Sequence, residues 1–385
     1  MSPLLHLFAC LLTLFVAMGV GRFTLTPQLP HLIAEGQVDL TGAGLLAAAN
    51  YLGYLLGALD ALRADTPARA GRRLFAGLWG CVALSFLSTW AEGLWAHGLL
   101  RFASGVASAW ALVVAAGISQ QVALQAGQPR RGALVFTGPS LGVLVTGLIA
   151  LALNHYRLGS AAAWTFYGCA GLAAALLAHP LLPRPRARPH PPRTARSLPP
   201  GLRGLLGAYG LSGLGYIIPA TFLSQLAASR FHGAWQADLF WPCFGLAAFL
   251  GVLLASLRRP TPGGTLRWLV CTLWLQAAGA LACLLPGTFG LALGVALSGG
   301  PFLAGTQLTL QYARELDPDG HTRNIGLLTA AFALGQLCGP LLAACSSRFT
   351  GGLDLALWVA GAVLLVASLL VRRPGAASRA EAVQG

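Results

Sequence analysis

Two sets of six apolar stretches, each long enough to cross a lipid bilayer, flank one arginine- and proline-rich segment, Pro183 to Pro200. A helical crossing takes roughly twenty apolar residues, and twelve such stretches fit between Leu4 and Val371. The layout predicts an all-α integral membrane protein of twelve transmembrane helices in two six-helix bundles related by a pseudo-twofold. The first six crossings are expected at Leu4 to Leu29, Leu40 to Leu62, Leu74 to Ala91, Leu94 to Gln120, Gly132 to Leu153 and Ala161 to Leu181. The last six are expected at Leu202 to Leu226, Leu239 to Leu257, Trp268 to Leu285, Phe289 to Tyr312, Ile325 to Ser346 and Leu353 to Val371. The chain thus divides into a bundle over 1–182, a linker over 183–200, a second bundle over 201–372 and a tail over 373–385. Composition agrees, since 56% of residues are hydrophobic and 9% charged, which leaves almost nothing for a water-facing domain.

The net charge of +14 comes from arginine alone, for the chain has no lysine. Twenty of the arginines fall in alternate loops, the linker or the tail, while Arg157, Arg230 and Arg348 lie on the other side. This asymmetry predicts a plasma (inner) membrane protein with both termini and the linker in the cytoplasm. The linker arginines can also lie against anionic lipid headgroups. A nucleic-acid partner is not expected, because no basic patch carries interleaved aromatics. The eight cysteines sit within the apolar stretches without C-x-x-C spacing and read as small packing residues; neither a metal site nor a disulfide framework is expected, and no cofactor is called for. The first apolar run lacks a basic start and continues past Arg22 to Pro30, so it reads as a retained helix rather than a signal peptide.

The halves echo each other. Gly19-Val20-Gly21-Arg22 parallels Gly213-Leu214-Gly215-Tyr216, and a similar offset relates Gly53 to Gly245, Gly105 to Gly300, and Gly138-Pro139 to Gly339-Pro340. Parallel repeats of this kind imply a cavity between the bundles. The run Gly21 to Pro30 and the segment Asn50-Tyr51-Leu52-Gly53-Tyr54-Leu55-Leu56-Gly57 resemble the YbfB/YjiJ-type branch of the major facilitator superfamily. That resemblance implies a two-bundle carrier that works by alternating access; a small-molecule substrate and a monomer are expected.

Three motifs of the superfamily can be matched. Arg101 to Ala109 fits R-x-x-x-G-x-x-x-A with Gly105 at its centre, a spacing of small residues that lets helices approach closely. Gly138-Pro139-Ser140-Leu141-Gly142 resembles the antiporter motif; there a proline removes a backbone hydrogen bond and glycines permit bending, which suits either a rocking hinge or a kinked helix that merely packs well, and the resemblance tilts the reading toward proton-linked export. The loop motif after the second crossing survives in part, with Gly57, Asp60, Arg63, Gly71, Arg72 and Arg73, so Asp60 is expected to latch to an arginine.

A charge inside the bilayer costs several kcal/mol unless it faces a partner or water, and only Arg22 and Arg101 lie clearly inside. Arg101 sits ~12 Å of helix below the outer end of its crossing, at a depth comparable to Arg22. Two cavity-facing guanidiniums would suit an anion; alternatively they brace helices through backbone carbonyls, or Arg22 snorkels to the surface. Asn50, Tyr54, Tyr216, Gln307 and Gln336 are further candidates for the cavity lining, with interhelical bonding as their other role. His97, one turn before Arg101, is a candidate proton carrier disfavoured by that neighbour.

An enzyme is not expected. Gly210-Leu211-Ser212-Gly213 and the G-x-S-x-G string at 138–142 are common in a chain with 49 glycines, and the helical context lacks a strand-to-helix elbow. A P-loop is impossible without lysine, which points to secondary active transport of an anionic or drug-like solute. A transporter-like sensor or assembly protein would carry an added soluble domain.

Overall fold

In a computed structural model, residues 2–63, 66–184, 198–231, 234–258, 261, 263–317 and 321–372 are described. The linker and tail predictions fall mainly outside these residues. Twelve helical segments cover the rest: α1 Pro3–Ala34, α2 Leu40–Leu62, α3 Pro67–Trp90, α4 Gly93–Gln125, α5 Arg131–His155, α6 Ser160–Leu181, α7 Gly201–Phe231, α8 Trp235–Leu257, α9 Gly264–Ala282, α10 Gly287–Leu316, α11 Asn324–Thr350 and α12 Asp354–Arg372. Eleven of them are long and apolar enough to cross a membrane. The exception is α9, whose 19 residues include Arg267 and Gln276; its length of about 28 Å still nearly matches the hydrocarbon core.

Helices begin and end where the chain chemistry allows rather than where hydropathy stops. α3 starts seven residues before the predicted Leu74, because Pro67 suits a first helical position and Thr66 Oγ1 accepts from the Arg69 amide at 3.2 Å. Asp39 caps α2 in the same way, accepting from the Gly42 amide at 2.6 Å. The expected hinge at Pro139 is corrected by the structure. A tight 3₁₀ stretch, Pro129–Phe136, runs into regular helix at Thr137, so Pro139 occupies a first turn, where its missing N–H breaks no hydrogen bond. Pro340, by contrast, lies inside α11.

Small residues set the packing. In the first half Gly53 and Gly105 press α2 and α4 together backbone to backbone, and Gly138 and Gly142 do the same for α5 and α1. In the second half Gly251 meets Gly300 between α8 and α10, while Gly335 and Gly339 fit α11 against α7. Small-residue contacts thus recur in both halves, but not pair for pair: Pro139 opens its helix whereas Pro340 lies inside one. Gly245, the expected counterpart of Gly53, faces Leu144 of α5 across the two halves.

The halves meet along α2 with α11, α5 with α8, and α1 with α7. Gly44 packs on Pro340 and Ala344, Gly147 on Pro242, and Thr26 Oγ1 donates to the Ala220 carbonyl at 3.1 Å. At the end away from the termini, Asn154 Nδ2 donates to Asp238 Oδ1 across the seam at 2.6 Å. One apolar core runs through both halves, whereas a second, built from α7 and α9–α12 at the end bearing the termini, belongs to the second half alone. Among the cysteines Cys10, Cys81 and Cys283 pack inside; Cys169, Cys243, Cys271, Cys338 and Cys345 lie on the outer surface of the helices.

Glu35 ties α1 to α6 at the end away from the termini. It accepts from the Ser160 amide at 2.7 Å, from Ser160 Oγ, and from Gln37 Nε2 at 2.8 Å. Burial alone opposes ionisation, but these hydrogen bonds and nearby His31 outweigh it and hold the carboxyl below its usual range. A carboxylate whose folded pKa is depressed stabilises the fold above its unfolded pKa, and that contribution disappears as pH falls through the folded value. Melting temperature should therefore stay flat down to about pH 5 and fall below it, with Glu35→Gln lowering the plateau and removing part of the fall.

Candidate functional site at the seam between the halves

α1 does not run as one regular helix. Between Pro3–Leu14 and Leu25–Ala34 it opens into a wide-turned π-type stretch, Phe15–Phe23. Gly19 makes this possible by lying directly on Gly142 of α5, and Gly21 fits against Cys81. Side chains take up backbone carbonyls along it: Ser104 Oγ donates to Gly21 O at 2.7 Å, and Thr24 Oγ1 to Val20 O at 2.7 Å.

This stretch delivers Arg22 to the seam, 3% exposed. Its guanidinium carbon lies 4.2 Å from the Tyr54 ring centroid, 4.6 Å from Tyr51 and 5.4 Å from Phe23. Nη1 reaches only Met18 Sδ at 3.9 Å. The Tyr51 and Tyr54 hydroxyls lie near enough to interact with the guanidinium, but neither stands in line with an N–H, and Nε and Nη2 find no partner in hydrogen-bond geometry among the described residues. The aromatic faces offset part of the desolvation cost, but a buried guanidinium with two empty donors remains expensive.

The second half answers with rings. Tyr216 is stacked between Phe302 at 4.8 Å and Phe332 at 5.4 Å, and Tyr209 continues the stack on Phe332 at 4.3 Å. Gln336, fully buried in α11, donates to the Tyr216 hydroxyl and keeps Oε1 unpartnered. Phe23 closes the seam edge-on against Phe302 at 5.6 Å and Trp241 at 6.5 Å, while the Tyr51 and Thr221 hydroxyls bond across it at 3.2 Å.

Four sequence candidates, Arg22, Tyr54, Tyr216 and Gln336, are thus brought to one seam. Three are not. Arg101, fully buried, lies inside the first half, with Nη2 donating to Ser88 Oγ at 2.7 Å and its guanidinium 4.4 Å from the Trp164 ring. The expectation that two guanidiniums share one cavity is corrected accordingly, because Ser88 of α3 and Trp164 of α6 hold the Arg101 guanidinium within its own half. Asn50 donates to the Arg101 carbonyl at 2.8 Å, and Gln307 exchanges hydrogen bonds with Ser256, at 3.2 Å for its Nε2; both staple neighbouring helices. His97 bonds Gln37 at 2.9 Å rather than any group at the seam. Sequence reasoning missed Tyr51, Phe23, Trp241, Phe302 and Phe332. An aromatic side chain in an apolar helix reads equally as packing, and Tyr51 differs from Tyr54 only in the face it takes.

The loop latch is present. Arg73 meets Asp60 through both Nε to Oδ2 at 2.8 Å and Nη2 to Oδ1 at 2.9 Å, and Trp110 Nε1 donates to Oδ2 at 2.8 Å. Arg73 rather than exposed Arg72 supplies the charge, and the network joins α2, α3 and α4. Asp60→Ala should lower stability by about 1–2 kcal/mol, since it strips Arg73 and Trp110 of an acceptor at a half-exposed site; a thermal melt of the purified variant checks this.

The comparisons agree with this architecture. A family model described as "Uncharacterised MFS-type transporter YbfB" matches residues 14–372. A search of curated proteins gives no match. Among solved structures, the human organic anion transporter MFSD10 (TETRAN) is similar in fold, with a TM-score of 0.71 and 17% identity over 97% of this chain and 100% of that one. The chain belongs to the YbfB-type family of major facilitator superfamily transporters and is a multi-pass membrane protein, not an enzyme.

Proposed function

We propose that the chain moves a small organic anion by secondary active transport, rocking its halves about the seam with Arg22 as the anchor for the anion. The observation that carries this reading is the buried Arg22 guanidinium with Nε and Nη2 free. Such a group is stable where a ligand supplies the missing charge. MFSD10, similar in fold, is an organic anion transporter. Labelled organic anions should accumulate in proteoliposomes, and Arg22→Gln should cut that flux at least ~30-fold, since truncating one partner of a buried charge pair costs 2–5 kcal/mol or more. Unchanged flux in Arg22→Gln would sink the proposal.

The orientation that goes with it places both termini in the cytoplasm of the plasma (inner) membrane, supported by the arginine distribution. A fluorescent protein fused after Gly385 should then fold and fluoresce. The chain acts as a monomer, its seam being complete within one polypeptide. Proton-coupled export is supported by the likeness of Gly138 to Gly142 to the antiporter motif; flux that ignores an imposed pH gradient would remove it.

A further inference from the structure

The free nitrogens of Arg22 and the rings that shut the seam together narrow the cargo, on the footing that the anion reading above holds. Nε and Nη2 share one edge of the guanidinium, so the two empty N–H groups run parallel and match the two oxygens of a carboxylate. The third nitrogen is turned to Met18, which leaves one charge to satisfy. Directly beside this edge stand the faces of Tyr51 and Tyr54 and, one residue on, Phe23. Phe23 now holds the halves together through edge-to-face contacts with Phe302 and Trp241.

Rocking the halves apart must break those contacts and expose rings that each bury 150–250 Å² when packed. A cargo that offers a flat ring in their place compensates the opened seam; an aliphatic cargo of equal charge fills volume without restoring the ring geometry. We infer that the site selects an aromatic monocarboxylate, its carboxylate paired to Nε and Nη2 of Arg22 and its ring inserted where Phe23 meets Phe302 and Trp241.

Isothermal titration of the full-length protein in nanodiscs with benzoate, 2-naphthoate, cyclohexanecarboxylate and benzyl alcohol tests this. The arene acids should bind at least tenfold tighter than cyclohexanecarboxylate, and benzyl alcohol should not bind. Phe302→Leu should close the gap between benzoate and cyclohexanecarboxylate, and Arg22→Gln should abolish binding of both. If Phe302→Leu fails to assemble, Trp241→Leu probes the same face. Equal binding of benzoate and cyclohexanecarboxylate would overturn the aromatic selectivity while leaving an anion carrier. Binding of benzyl alcohol as tight as benzoate, benzoate binding untouched by Arg22→Gln, or no binding of any of the acids would overturn the anion reading and this inference with it.

Discussion

Arg22→Met is expected to yield a protein that melts at a higher temperature and carries no anion. Methionine is shorter, but it is flexible and uncharged, so it covers the stem of the arginine beside Tyr51 and Tyr54 and leaves no empty donors. Replacing a buried, incompletely paired ion by an apolar side chain of similar volume is often stabilising by 1–4 kcal/mol. Loss of transport together with gain of stability is the pattern of a residue kept for its ligand. A melt in detergent and a flux assay on the same preparation read both quantities. A fall in melting temperature would instead make Arg22 a brace satisfied within the fold.

The largest structural effect should come from the smallest change, Gly142→Ala. An added Cβ would run into the Cα of Gly19, backbone against backbone, where no rotamer change relieves it. The alanine should cost at least about 3 kcal/mol, at the upper end of single substitutions, and reduce the yield of folded protein sharply. Gly36→Ala is the matched control. Gly36 has φ of +72° and open space around the position of a Cβ, so its cost should be only about 1 kcal/mol of backbone strain. Comparable losses in the two variants would mean that α1 and α5 can part freely.

The architecture was legible because bilayer thickness fixes helix length, and twelve apolar stretches around one arginine-rich break admit few alternatives. Arg22 was legible for the same reason: a charge at membrane depth declares itself. The direction each side chain faces was not. Crossings such as α7 are apolar nearly all round, so helical periodicity gives little sign of which side meets its own bundle, the other half or lipid. Arg101 and Gln307 were for that reason grouped with the cavity, although α4 and α10 turn them into their own halves. Pro139 misled differently. Its effect depends on where the helix starts, and the 3₁₀ entry over Pro129–Phe136 puts it where it does no damage.

The widened coil of Phe15–Phe23 has a consequence for how Arg22 is aimed. Each residue of a regular helix advances the heading by about 100°, so the bearing of a side chain depends on the winding before it as well as on its own identity. A one-residue deletion between Phe15 and Met18 that let α1 relax to ordinary winding would keep the arginine and swing it off the midline. Charge and heading are thus encoded separately along α1.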